Sequence, residues 1–164
     1  MAVTKILYRN GGLQQAIDYI TYPAKTNEQL LTDYVRCDPG YAAQQMMDTK
    51  RALGKTAGRQ CYHIIQSFKP DEITPELAHE IARQFAAAHL PGYEAVIATH
   101  VDKAHIHSHI VFNSVNAVTG KMYHSTRENY YKQIRGVSDR LCKAHGLSIV
   151  LENDEKKAVS YAEW

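Results

Sequence analysis

At 164 residues, 45% of them hydrophobic and 22% charged, the chain suits one domain with a full core buried between layers of secondary structure. Its three cysteines, Cys37, Cys61 and Cys142, are odd in number, widely spaced and without a C-x-x-C pair, which argues against a disulfide framework or a cysteine zinc site. A formal net charge of +2 is too small to announce nucleic-acid binding, so any DNA site must be a local patch.

In chain order, VTKILY (3–8) alternates as a first strand, Asn10-Gly11-Gly12 breaks it, and LQQAIDYI places Leu13, Ala16, Ile17 and Ile20 on one helical face. From Tyr22 to Cys37 the mixture of Pro, Asn, Asp and Thr predicts a loop with little regular structure, followed by a turn at Asp38-Pro39-Gly40. Residues 41–53 have helical propensity, and GKTAG (54–58) interrupts them; Thr49 stands where a phosphate-binding P-loop needs its upstream glycine. QCYHIIQSF (60–68) reads as a second strand. Thr74-Pro75-Glu76 opens a helix to about His89, with Leu77, Ile81, Phe85 and Ala88 inward. Two strands follow, 94–100 and about 105–115, then a short one near Met122. A long helix over 127–145 places Ile134, Val137, Leu141 and Ala144 inward, with Lys132, Arg135, Arg140 and Lys143 outward, and LSIVL (147–151) closes as a strand. Short connections in the second half predict an α+β fold, a mainly antiparallel sheet covered by helices. No segment is long and apolar enough to cross a bilayer, and the N-terminus lacks a cleavage signal, so a cytoplasmic protein without membrane insertion is expected.

Chemistry concentrates in HVDKAHIHSHIVFNSVN (100–116), where four of the nine histidines fall within ten positions beside an apolar strand. Side chains two apart on a strand share a face, so His105, His107, His109, Val111 and Asn113 point one way while Ile106, Ile110 and Phe112 point the other. His107 and His109 can clasp one ion, and His100, ending the preceding strand, supplies a third imidazole if the strands are neighbours. Three neutral imidazoles leave coordination positions open to a phosphate oxygen or water, as a catalytic metal requires. Nitrogen ligands suit Mn, Zn, Co or Ni, whereas a phosphate-cleaving enzyme in a cell meets Mg most often; Mg or Mn is the first expectation.

AIDYITYPAKT (16–26) and the histidine segment ending HSHIVFN resemble the first and metal motifs of the relaxases of mobilizable and conjugative elements, within the HUH endonuclease superfamily. QCYHIIQSF and LCKAHGLSI also resemble that family, so the likeness covers about the whole chain. It implies a five-stranded antiparallel sheet flanked by helices and one divalent metal on His100, His107 and His109. It further implies that Tyr19 nicks single-stranded DNA at an origin of transfer through a covalent 5′-phosphotyrosine intermediate. By composition alone Tyr19 would simply pack on the sheet. Tyr22 is the runner-up nucleophile; His63, Asp102 and His105 are auxiliary candidates, as proton relay, ligand orienter and additional imidazole. Lys25 and Thr26 match the tail of the first motif, where contacts to DNA phosphates are natural. The resemblance also implies accessory mobilization proteins and a coupling protein as partners. Residues 1–152 are expected to form the catalytic domain, with 153–164 beginning a following helical segment of a larger protein.

Two other readings stay open on the sequence. A replication-initiator or transposase-type HUH nuclease would carry its tyrosine on a helix after the His-x-His pair, where Tyr130 and Tyr131 stand. A DNA-binding module with a structural metal would not cleave at all.

Overall fold

A computed structural model describes residues 2–26, 31–101 and 105–149. Five strands form one sheet: β1 (Ala2–Arg9), β2 (Thr32–Val35), β3 (Cys61–Phe68), β4 (Ala95–His100) and β5 (His107–Asn113). Their order is β1-β3-β5-β4-β2, and every neighbouring pair is antiparallel. The expected α+β fold is therefore found, with β5 in the centre.

Helices cover both faces, because β3, β4 and β5 alternate two apolar sets. On one face Tyr62, Ile64, Ala95, Ile97, Ile110 and Phe112 meet Ala82, Phe85 and Ala86 of α3 (Pro75–His89), together with Ile134 and Val137. On the other, Cys61, Val96, Ala98 and Val111 meet Leu13, Ala16, Ile17 and Ile20 of α1 (Leu13–Ile20) and Ala42, Ala43 and Met46 of α2 (Ala42–Leu53). Removing a fully buried ring such as Phe112 from a core of this kind costs about 3–5 kcal/mol. The helix α3 opens as read: Thr74 Oγ1 accepts from the Leu77 N–H at 3.2 Å, and Pro75 stands in the first turn.

Five expectations need correction. The stretch read as an irregular loop contains β2, a half-buried edge strand of four residues whose Val35 pairs with Ala95; strand pairing supplies what so short a sequence pattern cannot signal. Ala88 and Ala144, expected inward, are exposed, while Ala78, His79, Ala82 and Ala86 of α3 are buried, along with Ser138 and Cys142 of the last helix. That last helix is not uniform: a π-helical stretch, Asn129–Arg135, runs into α4 (Gly136–Ala144). Its wide turns bring the Tyr130 hydroxyl to the Thr4 carbonyl at 2.7 Å while Ile134 stays buried. Finally, 147–149 form no strand; Leu147 and Ile149 instead pack against the cluster around Phe68. Met122 makes only an isolated bridge to Val115. Among the described residues no helix is long and apolar enough to cross a membrane. The helical segment expected at 153–164 lies outside the described residues.

Candidate active site

The register of β4 and β5 assembles the histidines. His100 pairs directly with His107, and His109 lies opposite Ala98, which makes His100 and His109 diagonal neighbours on one face. Their ring centroids are 4.0 Å apart, and those of His107 and His109 are 6.2 Å apart. All three side chains are buried. On the next strand His63 reaches the same place, its Nε2 at 2.7 Å from His109 Nδ1.

That contact defines the chemistry of His109. If Nδ1–H donates to His63, Nε2 carries the lone pair, and His109 Nε2 is a buried nitrogen with no hydrogen-bond partner among the described residues. Burial, then the neighbouring imidazoles led by His100, hold His109 well below the ordinary imidazole pKa. Burial, with Arg9 and His100, draws His63 down to about 4. Neutral imidazoles with an unspent nitrogen are what a divalent ion needs. His100 spends its Nε2–H on the Ile20 carbonyl at 2.9 Å, which leaves Nδ1 as its acceptor nitrogen. Among the described residues no three His, Cys, Asp or Glu side chains already stand as a closed metal cluster. The rings are gathered, and burial favours the neutral form of His109; closing a shell requires side-chain turns within the group.

Tyr19 enters from α1. The helix buries Leu13, Ala16, Ile17 and Ile20 and so turns Tyr19 outward, 51% exposed, at the rim of the histidines. Its ring meets His100 edge-on at 5.9 Å and His109 at 6.4 Å between centroids. Thr21 Oγ1 donates to the Ile17 carbonyl as the helix ends, and the turn that follows is stitched to the end of β4 by the Val101 N–H donating to the Lys25 carbonyl at 2.7 Å. Lys25 Nζ lies 5.1 Å from the Tyr19 ring centroid. Thr26, expected to touch DNA, is fully buried and its hydroxyl donates to the Tyr22 carbonyl at 3.0 Å, so it holds the turn. Tyr22 is 57% exposed, and among the described residues its ring meets no histidine of the site.

His105 is buried beside His107, with centroids 6.4 Å apart, at the approach to β5. Asp102 lies outside the described residues. Tyr130 packs against the core on the opposite face of the sheet, and Tyr131 is flanked by Arg127 and Arg135. The basic residues of the last helix belong to that opposite side as well. One residue escaped the sequence reading: Arg9, at the end of β1 opposite Cys61, whose charge is felt at His63. Only the cross-strand register reveals it.

The nuclease-domain family of relaxases described as MobA/VirD2-like matches residues 19–147. The chain belongs to this relaxase family. A Staphylococcus aureus protein called Rlx is 35% identical over 163 residues, covering 99% of this chain and 50% of that protein. The group II intron-interrupted relaxase LtrB of Lactococcus lactis subsp. cremoris is 40% identical over 121 residues, 63% of this chain and 21% of the relative. The chain thus spans about half the length of the Rlx relatives. The relaxase fold recurs in the MobM relaxase domain solved with Mn and plasmid pMV158 oriT DNA, at TM-score 0.62 and 16% identity, covering 90% of this chain and 88% of the other. It recurs again in a structure reported for the molecular basis of vancomycin resistance transfer in Staphylococcus aureus, at TM-score 0.60, 12% identity and coverage of 91% and 96%. Family membership sets aside the replication-initiator and transposase-type alternative.

Proposed function

We propose that this relaxase domain nicks one strand of DNA at an origin of transfer and rejoins it, with Tyr19 as nucleophile and His100, His107 and His109 as the ligands of one divalent ion. The observation that carries the reading is the Tyr19 ring set against His100 and His109; among the described residues no other tyrosine ring meets the histidines of this triad. The Mn bound by the MobM relaxase domain supports a divalent ion, with Mg or Mn first and Zn, Co or Ni as alternatives. Bound there, the ion would polarise a phosphodiester as a Lewis acid.

The chain's own groups do the rest. The Tyr19 hydroxyl gives up its proton as its oxygen bonds to phosphorus, the bond to the 3′ oxygen of the preceding nucleotide breaks, and that oxygen takes up a proton. The 5′ phosphate is left on the tyrosine. The released 3′ hydroxyl can reverse the step, because the aryl phosphate ester keeps much of the bond's free energy. Lys25, beside the ring, puts an ammonium near the phosphate charge. His63 orients the His109 ring through the contact of its Nε2 with His109 Nδ1. The DNA would be single-stranded at the origin, the setting cytoplasmic, and the whole protein would work with accessory mobilization proteins and a coupling protein.

The test incubates the chain and MnCl2 with 3′-end-labelled single strands tiled across the element that encodes it. We expect a protein–DNA adduct resistant to denaturant, abolished by EDTA and absent in Tyr19→Phe. An adduct persisting in Tyr19→Phe, or one mapped by mass spectrometry to Tyr22 or Tyr130, overturns the assignment.

A further inference from the structure

On the exposed side of α1, Gln15 stands one turn before Tyr19. At the end of that side away from Tyr19, a groove of about 540 Å3 opens where the start of α1 meets α2 and the loop before β3. Asn10, Gln14, Gln15, Gln44, Thr56 and Gln60 line it, over a floor that includes Met47. Gln14 and Gln44 give their amide nitrogens to Asp18 and Asp48, each at 2.8 Å, and so present carbonyl oxygens as acceptors. Arg9 is exposed on the histidine side of the sheet. Its Nη1 lies 3.4 Å from the place a Cβ on Gly12 would occupy, and at φ +66° that position favours glycine. The guanidinium therefore borders the groove at Gly12, on the same side of the sheet as the buried histidines.

We infer that a nucleotide flanking the scissile position seats its base in this groove, while Arg9 clasps the phosphate between groove and Tyr19. The inference rests on the nickase reading above. Chemistry decides which part of the nucleotide goes where: the groove is lined by uncharged amide donors and acceptors that match the hydrogen-bonding edges of an unstacked base, and the guanidinium at its edge by Gly12 suits the phosphate. A groove of this size suits a small ring system with part of its sugar. Arginine, with its planar fork of donors, suits a phosphate better than any other side chain.

The experiment measures fluorescence anisotropy of the full chain on a labelled thirty-nucleotide single strand of random sequence, across a salt series. Arg9→Gln should weaken binding most at low salt and flatten the log-log salt slope by about 0.7. The double variant Gln15→Ala with Gln44→Ala should weaken binding about fivefold or more at every salt concentration, with the slope unchanged. Lys143→Gln, on the opposite side of the sheet, should bind as the unaltered chain does. Groove variants that bind normally while Lys25→Gln loses affinity would overturn the groove and leave the nickase reading standing. A chain that binds neither this strand nor any of the strands tiled across its encoding element would overturn both.

Discussion

Back to back across β4 and β5 stand two arrays of buried histidine, and they differ in what is left over. On the α3 side, His79 is bonded through both ring nitrogens: Nε2 to Asp33 Oδ2 at 2.5 Å and Nδ1 to Thr99 Oγ1 at 2.9 Å. Thr99 is joined to Ser108 at 2.9 Å, and Ser108 Oγ donates to the Ala78 carbonyl. Every member is satisfied, and the chain of bonds ties β2, α3, β4 and β5 together. On the α1 side, one residue along each strand, His109 is bonded through Nδ1 alone and keeps a buried nitrogen unspent. A satisfied buried histidine is structure; one held neutral with a nitrogen left over costs stability and is chemistry waiting for a ligand. The two arrays should therefore respond oppositely to substitution.

His109→Ala gives the largest effect. It should abolish the metal-dependent adduct while leaving a folded domain, since it removes a group whose burial is only partly compensated. Retention of adduct formation by this variant would erase the distinction between the two faces. His63→Ala comes next: losing the partner that orients a ligand typically costs 10–100-fold in metal affinity. Titration of Mn against the folded variant, followed by electron paramagnetic resonance, reads it, and an unchanged affinity would make His63 a packing residue. His79→Ala reverses the pattern. It removes the link between Asp33 and Thr99, which keep Arg83 and Ser108 as partners, and should cost about 1–2 kcal/mol in chemical denaturation. The fraction that remains folded should form adduct at a normal rate; a drop in adduct yield beyond the loss of folded protein would show the two arrays to be coupled.

The sequence made one of these arrays visible and hid the other. His100, His107 and His109 could be read because strand alternation is local, and spacing alone puts His107 and His109 on one face. Asp33, His79, Thr99 and Ser108 come from four separate segments, two of them on β2 and α3, and no period in the chain links them. The same reason concealed β2, whose four residues become a strand only by pairing with β4. A hydroxyl in a loop reads the same in the sequence whether it faces DNA or, as in Thr26, donates to the Tyr22 carbonyl beneath it. The order of the main elements, by contrast, was written in helix caps and turn residues, as at Thr74-Pro75, and was legible.

Lys50 sharpens what an unspent buried nitrogen costs on the α1 side. Its side chain is fully buried under α2, and Nζ has no hydrogen-bond partner among the described residues. The neighbouring Glu94 carboxylate is already bonded by Thr49 Oγ1 at 3.0 Å and Asn113 Nδ2 at 2.9 Å. Burial pulls the Lys50 ammonium from its ordinary 10.5 to about 8, against the partial opposition of Cys61 and Glu94. Between those values the unfolded chain holds a proton that the native chain has released, so this lysine makes stability rise with pH from about 8 towards 10.5. Below the folded value both states are protonated and its contribution is flat. Burial pushes the Cys37 and Cys142 thiols up to about 11, so their contribution is lost as pH rises through that range and runs the other way. A bare pH profile would mix the two. The difference between the unaltered chain and Lys50→Met isolates the amine, since methionine fills similar volume without a charge. Chemical denaturation at pH 7, 8, 9 and 10 should find Lys50→Met the more stable at pH 7, with the advantage shrinking steadily above 8. An advantage that does not change with pH would mean that Nζ has found water or a partner, and that unspent nitrogen on this face is confined to the histidines.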